Sequence, residues 1–221
     1  MLPFGDDIPG PDDPGVPPGE DVLLAVEAHL LTVLGTDSGR ASVTFLGTER
    51  FDVLRFGDSG AADLVRYVTL GASRAGMTSA AASVADARSG PRAELVCSIR
   101  GRHDGLVRPL AVLAASPQVE GLVLAPGAGL DVGEPLWPGS RFTGFLLGEG
   151  DGLVPPLELD PPGSPDARQP VRFLPAFPMT PEEAAYKRVH GATALEQLWL
   201  DQGIDLRDPH RPAPRLTAPE R

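Results

Sequence analysis

Cys97 is the only cysteine in the 221 residues, which excludes an internal disulfide and any cysteine-rich zinc site. Bases are also short, 19 against 30 acids for a net charge of −11. No stretch offers the basic face that phosphate recognition needs, so nucleic-acid binding is not expected. No apolar run approaches the roughly eighteen residues of a bilayer span, so no membrane role is expected. The opening Met1-Leu2-Pro3-Phe4-Gly5-Asp6-Asp7 lacks the basic-then-apolar pattern of a secretory signal. These absences leave the expectation of a soluble, cytoplasmic, acidic protein. Its 42% hydrophobic content suits one domain, which at this size hides roughly 70% of its unfolded surface.

The charge is concentrated at the start. Residues 1–21 carry Asp6, Asp7, Asp12, Asp13, Glu20 and Asp21, no base, six prolines and four glycines. Such a segment buries too little apolar surface to offset its ordering entropy. Residues 1–20 are therefore expected to be a disordered acidic tail, 21–203 the folded domain, and 204–221 a Pro/Arg-rich C-terminal coil. The body without the first 21 residues still carries −5.

Asp21 is a candidate N-cap for a helix in which Val22/Leu23, Val26, Leu30 and Val33/Leu34 recur at helical spacing, with Gly35 as its stop. Residues 41–46, 51–56 and 64–70 then read as strands with short Gly-containing links. Links of a few residues allow only antiparallel pairing, since a parallel crossover needs a dozen or more. Residues 74–90 read as a long loop and 93–100 as a further strand. A helix is expected over 106–115, with Pro109 in its first turn and Ser116-Pro117 stopping it. The apolar piece 119–124 has no clear assignment. The Gly/Pro-dominated run 125–140 reads as loop, 142–147 and 171–176 as strands, and 148–170 as loop with short extended pieces. Thr180-Pro181-Glu182-Glu183 has the form of a capping box with proline at the first helical position. The helix it opens is expected to reach about Gln202, bent at Gly191, with Ala185, Val189, Leu195, Leu198 and Trp199 toward the core. The sum is an α+β fold, a central mostly antiparallel or mixed sheet flanked by helices.

Candidate chemistry is thin. Gly71-Ala72-Ser73-Arg74-Ala75 after a strand invites comparison with the Gly-x-Ser-x-Gly nucleophile elbow, which would make Ser73 a serine hydrolase nucleophile. The fifth position is Ala75, however, and nothing ties His190 or His210 to Ser73 as a base. His29, His103, His190 and His210 show no i, i+4 pairing and no ligand spacing, so no metal is expected. His190 precedes Gly191 inside a helical pattern, where glycine costs roughly 1 kcal/mol against alanine; close helix packing explains it better than a ligand role. Gly148-Glu149-Gly150-Asp151-Gly152 lacks the lysine and helix start of a phosphate loop. Cys97 lies in a hydrophobic strand and packs rather than reacts. The residues thus point to a non-catalytic interaction module without cofactor.

Several segments together carry a resemblance. Val68-Thr69-Leu70-Gly71-Ala72-Ser73 with Met77, then Arg92-Ala93-Glu94-Leu95-Val96, resemble the suppressor of fused domain family. Pro178-Met179-Thr180-Pro181-Glu182-Glu183-Ala184 and Lys187-Arg188-Val189-His190-Gly191-Ala192 are similar to its C-terminal signature. Arg108-Pro109-Leu110-Ala111-Val112-Leu113-Ala114 and Glu134-Pro135-Leu136-Trp137 resemble its short bacterial members. The resemblance covers about residues 22–210. It implies the helix–sheet sandwich of that family's N-terminal domain and a role in binding protein. The animal member is a cytoplasmic repressor that clamps a peptide of a transcription factor between two domains, and bacterial stand-alone members include immunity proteins that neutralise toxins. A basic toxin or a peptide segment is the implied partner. The family-motif positions Thr69, Gly71, Ser73, Met77, Glu94, Glu183, His190 and Gly191 are then structural or binding residues, and the resemblance leaves open which.

Overall fold

The computed structural model describes residues 19–57, 63–78, 90–165 and 167–216. The expected acidic tail up to residue 18, residues 79–89 of the expected loop and the last five residues lie outside them.

The chain enters through helix α1 (Glu20–Leu34). Its N-cap is Gly19, at φ 77°, and not Asp21, whose carboxylate turns instead to Arg168 at 2.6 Å. Val22, Leu23, Val26 and Leu30 are buried, as their spacing predicts, and Gly35 ends the helix at φ 84°. A four-stranded meander follows: β1 (Gly39–Thr44), β2 (Arg50–Gly57), β3 (Leu64–Leu70) and β4 (Arg92–Arg100), each antiparallel to the last.

Helix α2 (Val107–Glu120) does not stop at Ser116-Pro117; it carries Pro117 in its interior. Proline there removes the donor that would reach the Leu113 carbonyl. The Ser116 hydroxyl donates to that carbonyl at 2.7 Å instead, so the helix runs on until Gly121 at φ 66°. The 125–140 run is not all loop either. Gly129–Asp131 forms β5, which pairs with β6 (Gly144–Leu147); at Gly129 and Gly144 the facing backbone leaves no room for a Cβ.

Strand β7 (Val171–Met179) is longer than expected despite Pro175 and Pro178. Its first half pairs parallel with β4 and its second half antiparallel with β6. A proline lacks only the donor, and the Pro175 carbonyl still accepts from Gly148 N at 2.9 Å. The sheet therefore reads β1-β2-β3-β4-β7-β6-β5. The β4–β7 pairing makes it mixed, and the long connection between those strands, with α2 in it, is what a parallel pair requires.

The final helical segment is two helices and not one bent helix. α3 (Pro181–His190) and α4 (Ala192–Asp201) share Gly191, at φ 89° and ψ 166°, as C-cap and N-cap. The break resets the helical phase. Ala185 and Val189 consequently face solvent, while Ala184, Tyr186, Leu195 and Trp199 are buried and Leu198 is half-buried.

The sheet is covered on both faces. α2 packs on Val53, Tyr67, Leu95 and Cys97. On the opposite face α1 covers Leu54, Phe56 and Val68, while α3 and α4 cover Leu146 and Met179. Cys97 is fully buried and burial pushes its thiol up to about 12, so it packs in the core. Among the described residues, no helix is long and apolar enough to cross a membrane.

Candidate functional site

Four of the family-motif positions meet at one buried carboxylate. Glu94, on β4, is 0% exposed. Its Oε1 accepts from Gly71 N at 2.9 Å, Ser73 N at 2.9 Å and Ser73 Oγ at 2.6 Å, and its Oε2 accepts from Thr69 Oγ1 at 2.6 Å. Thr69 Oγ1 in turn accepts from Leu95 N at 2.9 Å. Gly71 turns the chain here at φ 148°, and a Cβ on it would press on the Phe51 ring at 3.0 Å. Ser73 is thus no exposed nucleophile: its hydroxyl is buried and donates to a carboxylate. Met77 borders the same turn, where its Sδ accepts from Leu124 N at 3.3 Å.

Glu183 anchors a second buried node. It closes the expected capping box with Thr180. Its carboxylate also accepts from Trp199 Nε1 at 2.7 Å and from Arg211 at 2.6 and 2.7 Å. Arg211 is 1% exposed, donates to Pro178 O at 3.0 Å, and lies over the Phe142 and Trp199 rings. His190 and Gly191 sit at the exposed α3–α4 junction, the imidazole tilted against the Tyr186 ring with centroids 4.4 Å apart. The motif residues therefore fall into two buried hydrogen-bonded nodes and a helix break.

Two participants were not legible in the sequence. Arg211 lies within His210-Arg211-Pro212-Ala213-Pro214-Arg215, where it resembles any coil arginine. Arg92, whose Nη1 donates to Ser73 O at 2.7 Å, opens a strand and carries no local sign of burial. A buried acid with one charge to match was the only available clue.

Two surface features able to meet a partner lie toward the ends of the sheet. An end strand keeps one row of backbone donors and acceptors for another chain. Beside β1 runs a groove of about 460 Å³ lined by Arg40, Arg55, Arg102, Asp104 and Val107. Arg55 and Arg102 converge there on Asp104, and the hydrogen bond from Arg102 leads in holding that carboxyl below its ordinary range. Beside β5 runs a groove of about 260 Å³ with the opposite sign. Glu120, Asp131 and Glu134 outnumber Arg108 in its lining, beside the apolar Pro109 and Val112. Lys187, half-buried on α3 near Gly129, has its ammonium held below its ordinary range by burial.

Comparison with known proteins agrees with the fold. The model of the suppressor of fused protein family matches residues 47–212. Among solved structures, a putative suppressor of fused homolog from Neisseria gonorrhoeae FA 1090 aligns with TM-score 0.62 and 18% identity, over 88% of this chain and 97% of that one. The Sufu–Fu complex aligns with TM-score 0.55 and 16% identity, over 90% and 92%. Drosophila Suppressor of Fused aligns with TM-score 0.59 and 16% identity over 90% of this chain, which spans about half, 51%, of that protein. A comparison with curated proteins finds no match. The family model covers most of the chain, and the seven-stranded sheet with its helices has the same fold as these structures: the chain belongs to the suppressor of fused protein family.

Proposed function

We propose that the chain is a non-enzymatic, cytoplasmic protein-binding module that engages a basic segment of its partner along the free edge of β5. The observation that carries this reading is the net acidic groove at that edge, lined by Glu120, Asp131 and Glu134 against Arg108, with Pro109 and Val112 beside them. Main-chain pairing with β5 would supply affinity, and the carboxylates would select lysine or arginine on alternate residues of an added strand. The net charge of −11 speeds the approach of a basic partner. In its leading form the module is an immunity protein and the partner a basic toxin. A regulatory protein that sequesters a peptide uses the same edge, and the Sufu–Fu complex among the similar folds favours it as the second reading.

The test starts from the partner recovered by the full chain from its native host at low ionic strength. Replacing Glu120→Gln and Glu134→Gln together is expected to slow association about tenfold at low salt, with the difference vanishing at about 1 M salt. Recovery of no partner, together with no rescue of growth when toxins encoded nearby are co-expressed, overturns the proposal.

A further inference from the structure

On the face that carries α1 and α4, the sheet floors a cleft. Its floor is made by Arg66 on β3, its cross-strand neighbour Ser98 on β4, and Val96. Pro175 and Phe177 of β7 form one side of this cleft of about 190 Å³. Asp151 and Arg207 stand on its rims, each already engaged: Asp151 Oδ1 accepts from Leu153 N at 3.0 Å, and Arg207 Nε donates to Asp205 at 3.0 Å. Asp205 also takes Arg100 at 2.7 Å.

Arg66 is the exception among the arginines around it. Its Nε is buried and without a hydrogen-bond partner. Arg74, Arg92 and Arg211 also leave Nε unbonded, but each spends other guanidinium nitrogens on a protein acceptor. Among the described residues, none comes within ion-pair or hydrogen-bond reach of the Arg66 guanidinium. A buried donor left unmade is costly, and a guanidinium has five donors arranged to fit a carboxylate. An apolar wall beside an unspent guanidinium is the complement of a short acid on an apolar stem.

We propose that this cleft receives an acidic side chain, Glu or Asp, from a segment of a protein partner. Arg66 and Ser98 donate to its carboxylate, and the apolar residue beside it in the segment packs on Val96 and Phe177. The size decides the source. Pockets for whole small molecules run from roughly 300 Å³ upward, whereas anchor side chains at protein interfaces fill smaller ones. The proposal rests on the protein-binding reading but uses another surface, separate from the β5 groove.

The experiment follows the Arg66 Nε–Hε NMR signal in the full chain, assigned by its loss in Arg66→Gln. The probe is N-acetyl-Leu-Glu-Leu-amide, set against its Gln counterpart and against free 4-methylpentanoate. The Glu peptide is expected to shift the signal saturably and to bind at least about tenfold more tightly than the Gln peptide. Arg66→Gln should abolish this binding while leaving the thermal midpoint unchanged, since Arg66 loses no protein partner. Ser98→Ala should weaken it about fivefold. No shift up to about 10 mM peptide, equal shifts by the Glu and Gln peptides, or tighter binding of 4-methylpentanoate than of the Glu peptide overturns the proposal. The Glu120→Gln, Glu134→Gln chain should bind the Glu peptide normally, so failure at β5 and failure here are told apart.

Discussion

At the scale of single residues, two carboxylates are buried by different means. Glu94 is held by neutral donors, two hydroxyls and two backbone N–H groups. Glu183 is held by a full positive charge from Arg211. Removing the acceptor is worse than never having placed it, because the donors left behind remain buried. Glu94→Ala is therefore expected to lower unfolding stability by about 3 kcal/mol, read from chemical denaturation. Glu94→Gln should lose about 1–2 kcal/mol, since its amide oxygen still accepts from Gly71 and Ser73 but its NH₂ meets the Thr69 hydroxyl. A loss below about 1 kcal/mol for the alanine variant would refute the structural role assigned to this node. The motif residues themselves were visible in the sequence. Their meeting was not, because the hydrogen bonds join positions 21 to 25 apart across a strand pairing.

At the scale of elements, whatever was written locally was legible. The capping box of α3 spans four residues, Thr180 to Glu183, and formed as read. The end of α2 was misread because its rescue is a side-chain bond, Ser116 Oγ to Leu113 O, that proline statistics do not contain. Gly191 was read as a bend, yet its φ of 89° and ψ of 166° lie where residues with a Cβ are strained. No atom lies within 4 Å of a Cβ built on it, so the cost of Gly191→Ala is purely conformational. That variant is expected to lose about 1–3 kcal/mol, with the α3–α4 packing loosened, as a lower thermal midpoint and faster amide exchange in α4 would report. Unchanged stability would mean that the two helices can fuse.

At the scale of the whole molecule, arginines tie distant segments together. Arg168 joins Asp160 at 3.0 Å to Asp21 of α1 at 2.6 Å. Hydrogen bonds from Arg168 hold the Asp160 carboxyl below its ordinary range, and Arg207 does the same for Asp205. A carboxyl depressed in the folded state contributes stability above its unfolded pKa, about 3.9, and loses it as pH falls through the folded value. The thermal midpoint is therefore expected to drop on acidification below about pH 4. Arg168→Gln should lower the midpoint at neutral pH and flatten that acid limb. An acid limb as steep in the variant as in the parent would show that this tie contributes nothing.

The sequence by itself determined the α+β class, the order of most elements, the antiparallel meander and the capping box of α3, because periodicity, turn residues and short links act over a few positions. Tertiary structure alone decided that β7 crosses to β4 in parallel and then changes partner to β6. It alone buried Arg211 from a proline-rich stretch, promoted Gly129–Asp131 to an edge strand, and left the Arg66 Nε without an acceptor among the described residues. Each of these depends on which surfaces meet. Charge desolvation and strand pairing between segments tens of residues apart leave no mark on the local pattern.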